Sequence, residues 1–381
     1  MSQIFTSFES FIDKSIGRRN LAYAILALVV VYLLWFPQDA SQSNYGKTVY
    51  LQGFFYAIMA SSWALLAGIS GQFSFGHMAF MGIGAYASGL IARDGISIIG
   101  LPGEAIPAVV AIFIGTVVAG LVGLLIGWAL LRLRSSYLAL FTIAFSEIFR
   151  IAMLTEYDYT GGSNGLSLRP LIQTGDVNQE RIIGYYVMFG LLLVSLALMY
   201  FISNSRIGLF LRAMREDEDA ASALGVNVLF YKVLIFVITS MIIGLAGSIF
   251  YSKVGSERII PEQLEILSMS LIIAYAVIGG MESLLGAAAG AFISLNVLEA
   301  LRKVSFHWPF GLEVFGSNEF SYEPGALRYA VFGVVLVLTL RFMRNGLLFP
   351  ILQWFEGRDT AMQETVSKRK TDDDEVLEAA E

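Results

Sequence analysis

The stretch Arg206–Asn227, RIGLFLRAMREDEDAASALGVN, carries seven charged side chains between two long apolar runs, and its reading decides the fold. At about 2.5–3.5 kcal/mol per charge, placing Arg206, Arg212, Arg215, Glu216, Asp217, Glu218 and Asp219 in lipid would cost on the order of 20 kcal/mol. The stretch therefore lies in water, and the apolar runs on either side enter the membrane. Its apolar line, Phe210, Ala213 and Met214, breaks at Asp217 and resumes at Ala220, Ala221 and Leu224. That pattern predicts two short helices meeting at an acidic corner. Arg212 and Arg215 suit the negative C-terminal end of the first, Asp217, Glu218 and Asp219 the positive N-terminal end of the second, and Gly225 is the expected C-cap. A structured, charged loop with a thin apolar stripe reads as a docking surface; an ordinary solvated loop is the plainer alternative.

The rest of the composition agrees with a membrane assignment. The 381 residues are 56% hydrophobic and only 15% charged, with a mean hydropathy of +0.68, whereas about a quarter of the residues in soluble domains are charged. The fold class is all-α, a polytopic membrane protein. The absence of cysteine excludes disulfides and thiolate metal sites, and two histidines, His77 and His307, are too few for a multi-histidine metal centre. The net charge of −6 owes much to the end of the chain, where TDDDEVLEAAE at 371–381 follows Lys368, Arg369 and Lys370. Residues 349–381 read as a disordered, solvated cytoplasmic tail.

Working outward from the loop gives ten candidate spans, each near the roughly 20 residues that a bilayer core needs. They are Leu21–Phe36, Val49–Gly68, Phe75–Ala92, Ile106–Leu131, Tyr137–Leu154 and Ile182–Ile202 before it. Val228–Tyr251, Ile266–Gly280, Leu284–Leu301 and Ala326–Phe342 follow it. The polar residues 1–20 lead into the first run with no small-residue cleavage site after it, so that run is expected to be retained as a span. With both termini on one side, fifteen of the 25 Lys and Arg fall on that side, the central loop included, against eight opposite. The bias puts both termini and the loop in the cytoplasm. The expected organisation is a cytoplasmic segment 1–20, a transmembrane domain 21–348 containing the loop 203–227, and the tail.

Gly68–Gly71 and Gly279–Ser283 read as tight cytoplasmic turns, each opening into a helix rich in small residues that lets neighbours approach closely. TGGSNGL at 160–166 requires an external turn with close backbone approach, and both a gating loop and a plain turn fit it. The outer segment 302–325, with Trp308, Phe310, Phe315, Phe320 and Tyr322, suits interfacial anchoring.

Few residues carry chemistry. Gly46-Lys47-Thr48 lacks the first glycine of a phosphate loop, since Ser41 stands there, so any ATPase is another chain. No catalytic signature appears, and the chain is not expected to be an enzyme. Inside the spans, Glu147 and Arg150 stand three apart on one helical face and can pair, either beside a translocation path or as a structural ion pair. His77 is expected at the cytoplasmic mouth of the third span, as a gate or as a plain helix contact, with Ser74 as the N-cap of its helix.

Taken in order, SGQFSFGHMAFMGIGAYASGL, LRLRSSYLALFTIAFSEIFR, TGGSNGL, SRIGLFLRAMREDEDAASALGVN and IGGMESLLGAAAGAF resemble the membrane permease of bacterial ABC importers for branched-chain amino acids, specifically its second, M-type permease. The resemblance runs from about Leu51 to Leu348. Asp219, Ala220, Ala221 and Gly225 match the acidic-Ala-Ala-x-x-x-Gly core of the loop that engages the ATPases in such importers, with Asp in place of the usual Glu. The resemblance implies a multi-pass protein of the bacterial inner membrane. Its implied partners are a related permease, two cytoplasmic ATPases, an external substrate-binding protein and lipid, with no nucleic acid. Alternating access is implied too, with ATP and Mg bound by the ATPases and no cofactor in this chain. Arg212, Arg215, Glu216 and Asp219 are the residues expected at the ATPase interface. Similar permeases serve urea and short amides, which stay open as substrates. An ion-coupled secondary transporter would need several carboxylates at broken helices, and only Glu147 is clearly intramembrane.

Overall fold

The computed structural model describes residues 18–38, 44–95, 106–131, 135–256, 258–302, 324–342 and 346. The expectations for the terminal tail, for residues 1–17 and for the aromatic loop 303–323 lie outside the described residues. Two compact units are distinguished, 41–346 on one hand and 1–40 with 347–381 on the other. Of the second unit, the described part is helix α1 (Arg18–Trp35) with a short 3-10 turn, Phe36–Gln38.

Among its described residues the first unit's regular structure is helical, apart from a single bridge pairing Leu166 with Ile259. Its helices are α2 (Asn44–Trp63), α3 (His77–Asp94), α4 (Ala108–Leu130), α5 (Ser135–Thr155) and α6 (Val177–Asn204). The charged loop folds as α7 (Arg206–Glu216) and α8 (Glu218–Ala223). After it come α9 (Val228–Ile249), α10 (Ile266–Gly279), α11 (Leu284–Arg302) and α12 (Pro324–Phe342). By length and composition, five stretches among the described residues are able to cross a membrane: Asn44–Ile69, Ala108–Leu130, Tyr137–Thr155, Val177–Asn204 and Val228–Ser252. The pair α10–α11, bent by 118° at its break, makes a sixth if counted as one span. This is a helical membrane protein.

Helix α2 is the axis of the unit. It runs on through a π-helical turn, Ala64–Ile69, and 83% of its most apolar window is buried within the protein. Trp63, Phe54, Leu51 and Ile58 are shut off from solvent. On one side Phe54 stacks on Phe292 of α11 and meets Tyr185 and Phe189 of α6. A second layer forms where α3, α4 and α9 press together through glycine. A Cβ on Gly84 would stand 2.4 Å from the Gly244 carbonyl, and one on Gly115 would stand 2.5 Å from the Gly84 carbonyl. Without hydrophobic driving force between helices in lipid, such backbone-to-backbone fit is what holds them. The small-residue surfaces expected from the sequence are thus contact surfaces. Helix α5 is peripheral, with only 17% of its window covered.

Both glycine turns form where the sequence puts them. Gly71 has φ +73° and Gly280 φ +108°, conformations that L side chains rarely adopt. The TGGSNGL segment also turns on glycine, with φ +77°, +54° and +71° at Gly161, Gly162 and Gly165. Its partner is the segment 258–260: Leu166 and Ile259 exchange backbone hydrogen bonds of 3.0 Å, and a Cβ on Gly165 would stand 2.4 Å from the Ile259 carbonyl.

Candidate functional site

The central loop is built from its caps. Ser205 Oγ accepts the Ile207 N–H at the start of α7, and Asp217 accepts the N–H groups of Asp219 and Ala220 at 2.9 and 3.0 Å to start α8. The acidic corner is therefore an N-cap that satisfies otherwise orphaned helix donors. At the far end the C-cap is Leu224, and Gly225 follows it with φ +86°. Val226 N–H bonds to the Ala221 carbonyl and Gly225 N–H to that of Ser222, the Schellman pattern of a glycine-terminated helix. Asn227 then caps α9 by accepting the Phe230 N–H.

The apolar stripe read from the sequence divides in two. Leu211, Met214 and Ala221 are buried and hold the loop against the bundle, whereas Ala213, Ala220 and Leu224 are exposed, Leu224 by 86%. Leu209 and Phe230 add to the exposed apolar surface. Glu216 and Asp219 face solvent with them. The arginines are exposed too, yet their guanidinium groups bind back onto the protein. Arg212 donates to Ser203 Oγ at 2.9 Å, tying α7 to the end of α6. Arg215 reaches further: Nη1 donates to the Gly68 carbonyl and Nη2 binds the Glu282 carboxylate, each at 2.5 Å. Gly68 sits in the last turn of the α2 extension, where carbonyls lack helical partners and a cation is favoured. Glu282 sits in the turn between α10 and α11. The two turns also touch directly, since a Cβ on Gly68 would fall 1.8 Å from the Met281 carbonyl. One side chain of the loop thus holds both glycine turns.

Lys232, in the first turns of α9, adds a further tie: its side chain is 8% exposed and its ammonium pairs with Glu218 of α8. In the sequence Lys232 falls inside the candidate span Val228–Tyr251 and Glu282 within the turn Gly279–Ser283. The opposite charges were visible, but their proximity comes from tertiary folding across 67 residues for Arg215–Glu282.

His77 and Ser74 occupy the entry to α3. The N-cap is Gly76 rather than Ser74, because Ser74 Oγ accepts the Gly76 N–H and the Phe75 N–H is drawn to Thr142 Oγ1 of α5, so the helix starts at His77. The Ser74 carbonyl accepts from Trp63 Nε1 at 3.0 Å. His77 is enclosed rather than open at a mouth, 2% exposed, with its ring against the Ser62 backbone. Neither of its ring nitrogens makes a well-formed hydrogen bond, nor do Ser62 Oγ and Gln72 Oε1. Buried polar atoms left so are uncommon and mark a place where partners change.

Glu147 and Arg150 do pair. Arg150 Nε and Nη2 grip the carboxylate at 3.0 and 2.5 Å. Glu147 is 43% exposed and Arg150 18%. Glu265 and Glu262, carried on the segment leading into α10, act electrostatically on the same guanidinium. That proximity is not legible in the sequence, since no periodicity links the two segments. Beside the pair lies a recess of about 120 Å³ lined by Phe75, Ile143, Ser146, Glu147 and Ile266.

Among known proteins, the family model described as branched-chain amino acid transport system / permease component matches residues 47–340. The chain is similar to the high-affinity branched-chain amino acid transport system permease protein LivM of Salmonella typhimurium, with 27% identity over 315 residues, covering 76% of this chain and 70% of that protein. It is similar also to LivH of the same organism, with 29% identity over 265 residues, 65% of this chain and 81% of that one. BraD of Pseudomonas aeruginosa shares 26% identity over 301 residues, 77% and 91% of the two chains. With the match spanning most of the sequence and the bundle, turns and capped loop all falling inside it, the chain belongs to the branched-chain amino acid transport system permease family.

Proposed function

We propose that the chain is the membrane-spanning permease subunit of an ATP-driven importer that carries branched-chain amino acids inward across a bacterial inner membrane by alternating access. Its partners are a second, related permease, two cytoplasmic ATPases that bind ATP and Mg, and an external substrate-binding protein. The chain spans the bilayer ten times with both termini and the α7–α8 loop in the cytoplasm. Residues 1–20, 21–348 and 349–381 are its cytoplasmic lead, permease domain and tail.

The observation that carries this reading is the two-sided character of the α7–α8 loop. Outward it offers Glu216, Asp219, Ala220 and Leu224 for docking. Inward, Arg215 joins it to the ends of α2 and α10 through Gly68 and Glu282. A pull on the outer surface is thereby passed to the helix turns, as a mechanism requires in which nucleotide biases two permease states through differential contacts. His77, Ser74, Glu147 and Arg150 lie along the translocation route or its gate.

Co-expression with the neighbouring ATPase subunits tests the docking surface. Leu224→Asp and Asp219→Lys abolish co-purification of the ATPases while the permease still extracts as a folded protein. Unimpaired co-purification of both variants overturns the assignment of the loop.

A further inference from the structure

Helix α5 brings Ile143, Ser146, Glu147 and Arg150 to one side at spacings of three, four and seven residues, the repeat of a single helical face. Glu147 is the thirteenth residue of this 21-residue span, so it lies about 18 Å along the helix and not at an end. A half-exposed carboxylate at that depth is costly against hydrocarbon, and such groups face water or protein. The peripheral α5 therefore turns this face toward a hydrated space or a neighbouring subunit.

The face is also asymmetric in chemistry. Phe75, Ile143 and Ile266 make three apolar walls of the recess. Glu147 lines it with a carboxylate that the Arg150 guanidinium holds at 2.5 Å, and the carboxylates of Glu262 and Glu265 act on the same guanidinium. Ser146 lines the recess too, 8% exposed, and its hydroxyl has no hydrogen-bond partner among the described residues. A site of about 120 Å³ is smaller than the roughly 300–1,000 Å³ of drug-sized ligand pockets and matches a short aliphatic group. A neutral solute such as urea would use neither the apolar walls nor the opposed charges.

We propose that this recess is a transient binding site for an α-amino acid in passage: Glu147 receives the ammonium group, Arg150 the carboxylate, and Phe75, Ile143 and Ile266 enclose an aliphatic side chain, with Ser146 donating to the substrate. The proposal rests on the importer reading above and adds to it the place in this chain where the zwitterion is recognised. Glu147 and Arg150 hold each other until the substrate separates them, so no bare charge is left when the site is empty. Recognition is then an exchange of one charge-assisted pair for two.

The test uses the assembled complex in proteoliposomes with its unaltered binding protein, so that a change in selectivity arises in the permease. Ile143→Phe fills the recess and lowers the ratio of leucine to valine uptake by about tenfold, the scale of discrimination by one methylene in an apolar pocket. Ile143→Ala raises the ratio and serves if the larger residue prevents assembly. Ile148→Phe, on an exposed position of the same helix outside the recess, leaves the ratio unchanged. Glu147→Gln with Arg150→Gln removes both charges together and lowers uptake of all aliphatic amino acids. An unaltered leucine-to-valine ratio in both Ile143 variants, in complexes that assemble, overturns the site while leaving the importer reading standing. A wild-type complex that moves urea and no amino acid overturns the substrate itself, and the site with it.

Discussion

Arg215 of the α7–α8 loop and Glu282 of the α10–α11 turn form an ion pair across 67 residues of sequence, and the same guanidinium caps the end of the α2 extension at Gly68. Arg215 is 30% exposed and Glu282 46%, so the pair contributes little to stability, of the order of 1 kcal/mol or less. Its importance is geometric. Lysine keeps the charge but lacks the fork that reaches two acceptors. We expect Arg215→Lys and Arg215→Ala both to assemble and to melt within a few degrees of wild type, yet to lose most substrate uptake. Transport near the wild-type level in Arg215→Ala would detach this side chain from coupling.

Backbone fit at the turns gives a graded set of glycine substitutions. A methyl at Gly68 collides with the Met281 carbonyl at 1.8 Å, one at Gly225 meets nothing but sits at φ +86°, and one at Gly190 meets nothing in ordinary helix. Gly68→Ala is expected to cost about 1–3 kcal/mol or more by overpacking. Gly225→Ala costs about 1–2 kcal/mol from the left-handed backbone alone, and Gly190→Ala nothing or a slight gain. Melting temperatures of the purified variants should fall in that order. Equal values at Gly68 and Gly190 would contradict the contact between the turns.

The enclosed His77 ring has no well-formed hydrogen bond, so removing its polar atoms relieves a desolvation cost. His77→Leu should retain or raise thermal stability, because exchanging an unsatisfied buried polar group for an apolar one is neutral or favourable, on a scale of about 1–3 kcal/mol. Substrate uptake should nonetheless fall, because the proposed function places His77 on the translocation route or its gate. A large loss of stability with normal uptake would instead make the ring a plain structural contact.

The native sequence has no cysteine, so single cysteines report sidedness without background. Ser222→Cys, exposed in α8, should react with an impermeant thiol reagent only in inverted vesicles. Ser163→Cys, exposed in the TGGSNG turn, should react only in intact cells or right-side-out vesicles. Labelling of both from the same side would break the proposed topology.

Much of this arrangement is legible along the chain because it depends on local chemistry. The burial cost of seven charges places Arg206–Asn227 outside the membrane, and Asp217 and Gly225 bound α8 by capping rules that act over a few residues. Glycine likewise marks the turns at Gly71 and Gly280 through backbone angle. What the sequence does not display is pairing at a distance. Arg215 with Gly68 and Glu282, Glu218 with Lys232, and Arg150 with Glu262 and Glu265 meet only after the helices pack. The start of α3 is misplaced for the same reason: Thr142 takes the Phe75 N–H, so a side chain from another helix overrides the local cap at Ser74.

The most direct test is ATP hydrolysis by the purified complex of this permease, its partner permease, the ATPases and the binding protein in proteoliposomes. Leucine, isoleucine and valine should stimulate hydrolysis above the basal rate, and the stimulation should vanish in Arg215→Ala while the ATPases remain bound. Stimulation that persists in Arg215→Ala, or a complex whose hydrolysis does not respond to any of the three amino acids, would contradict it.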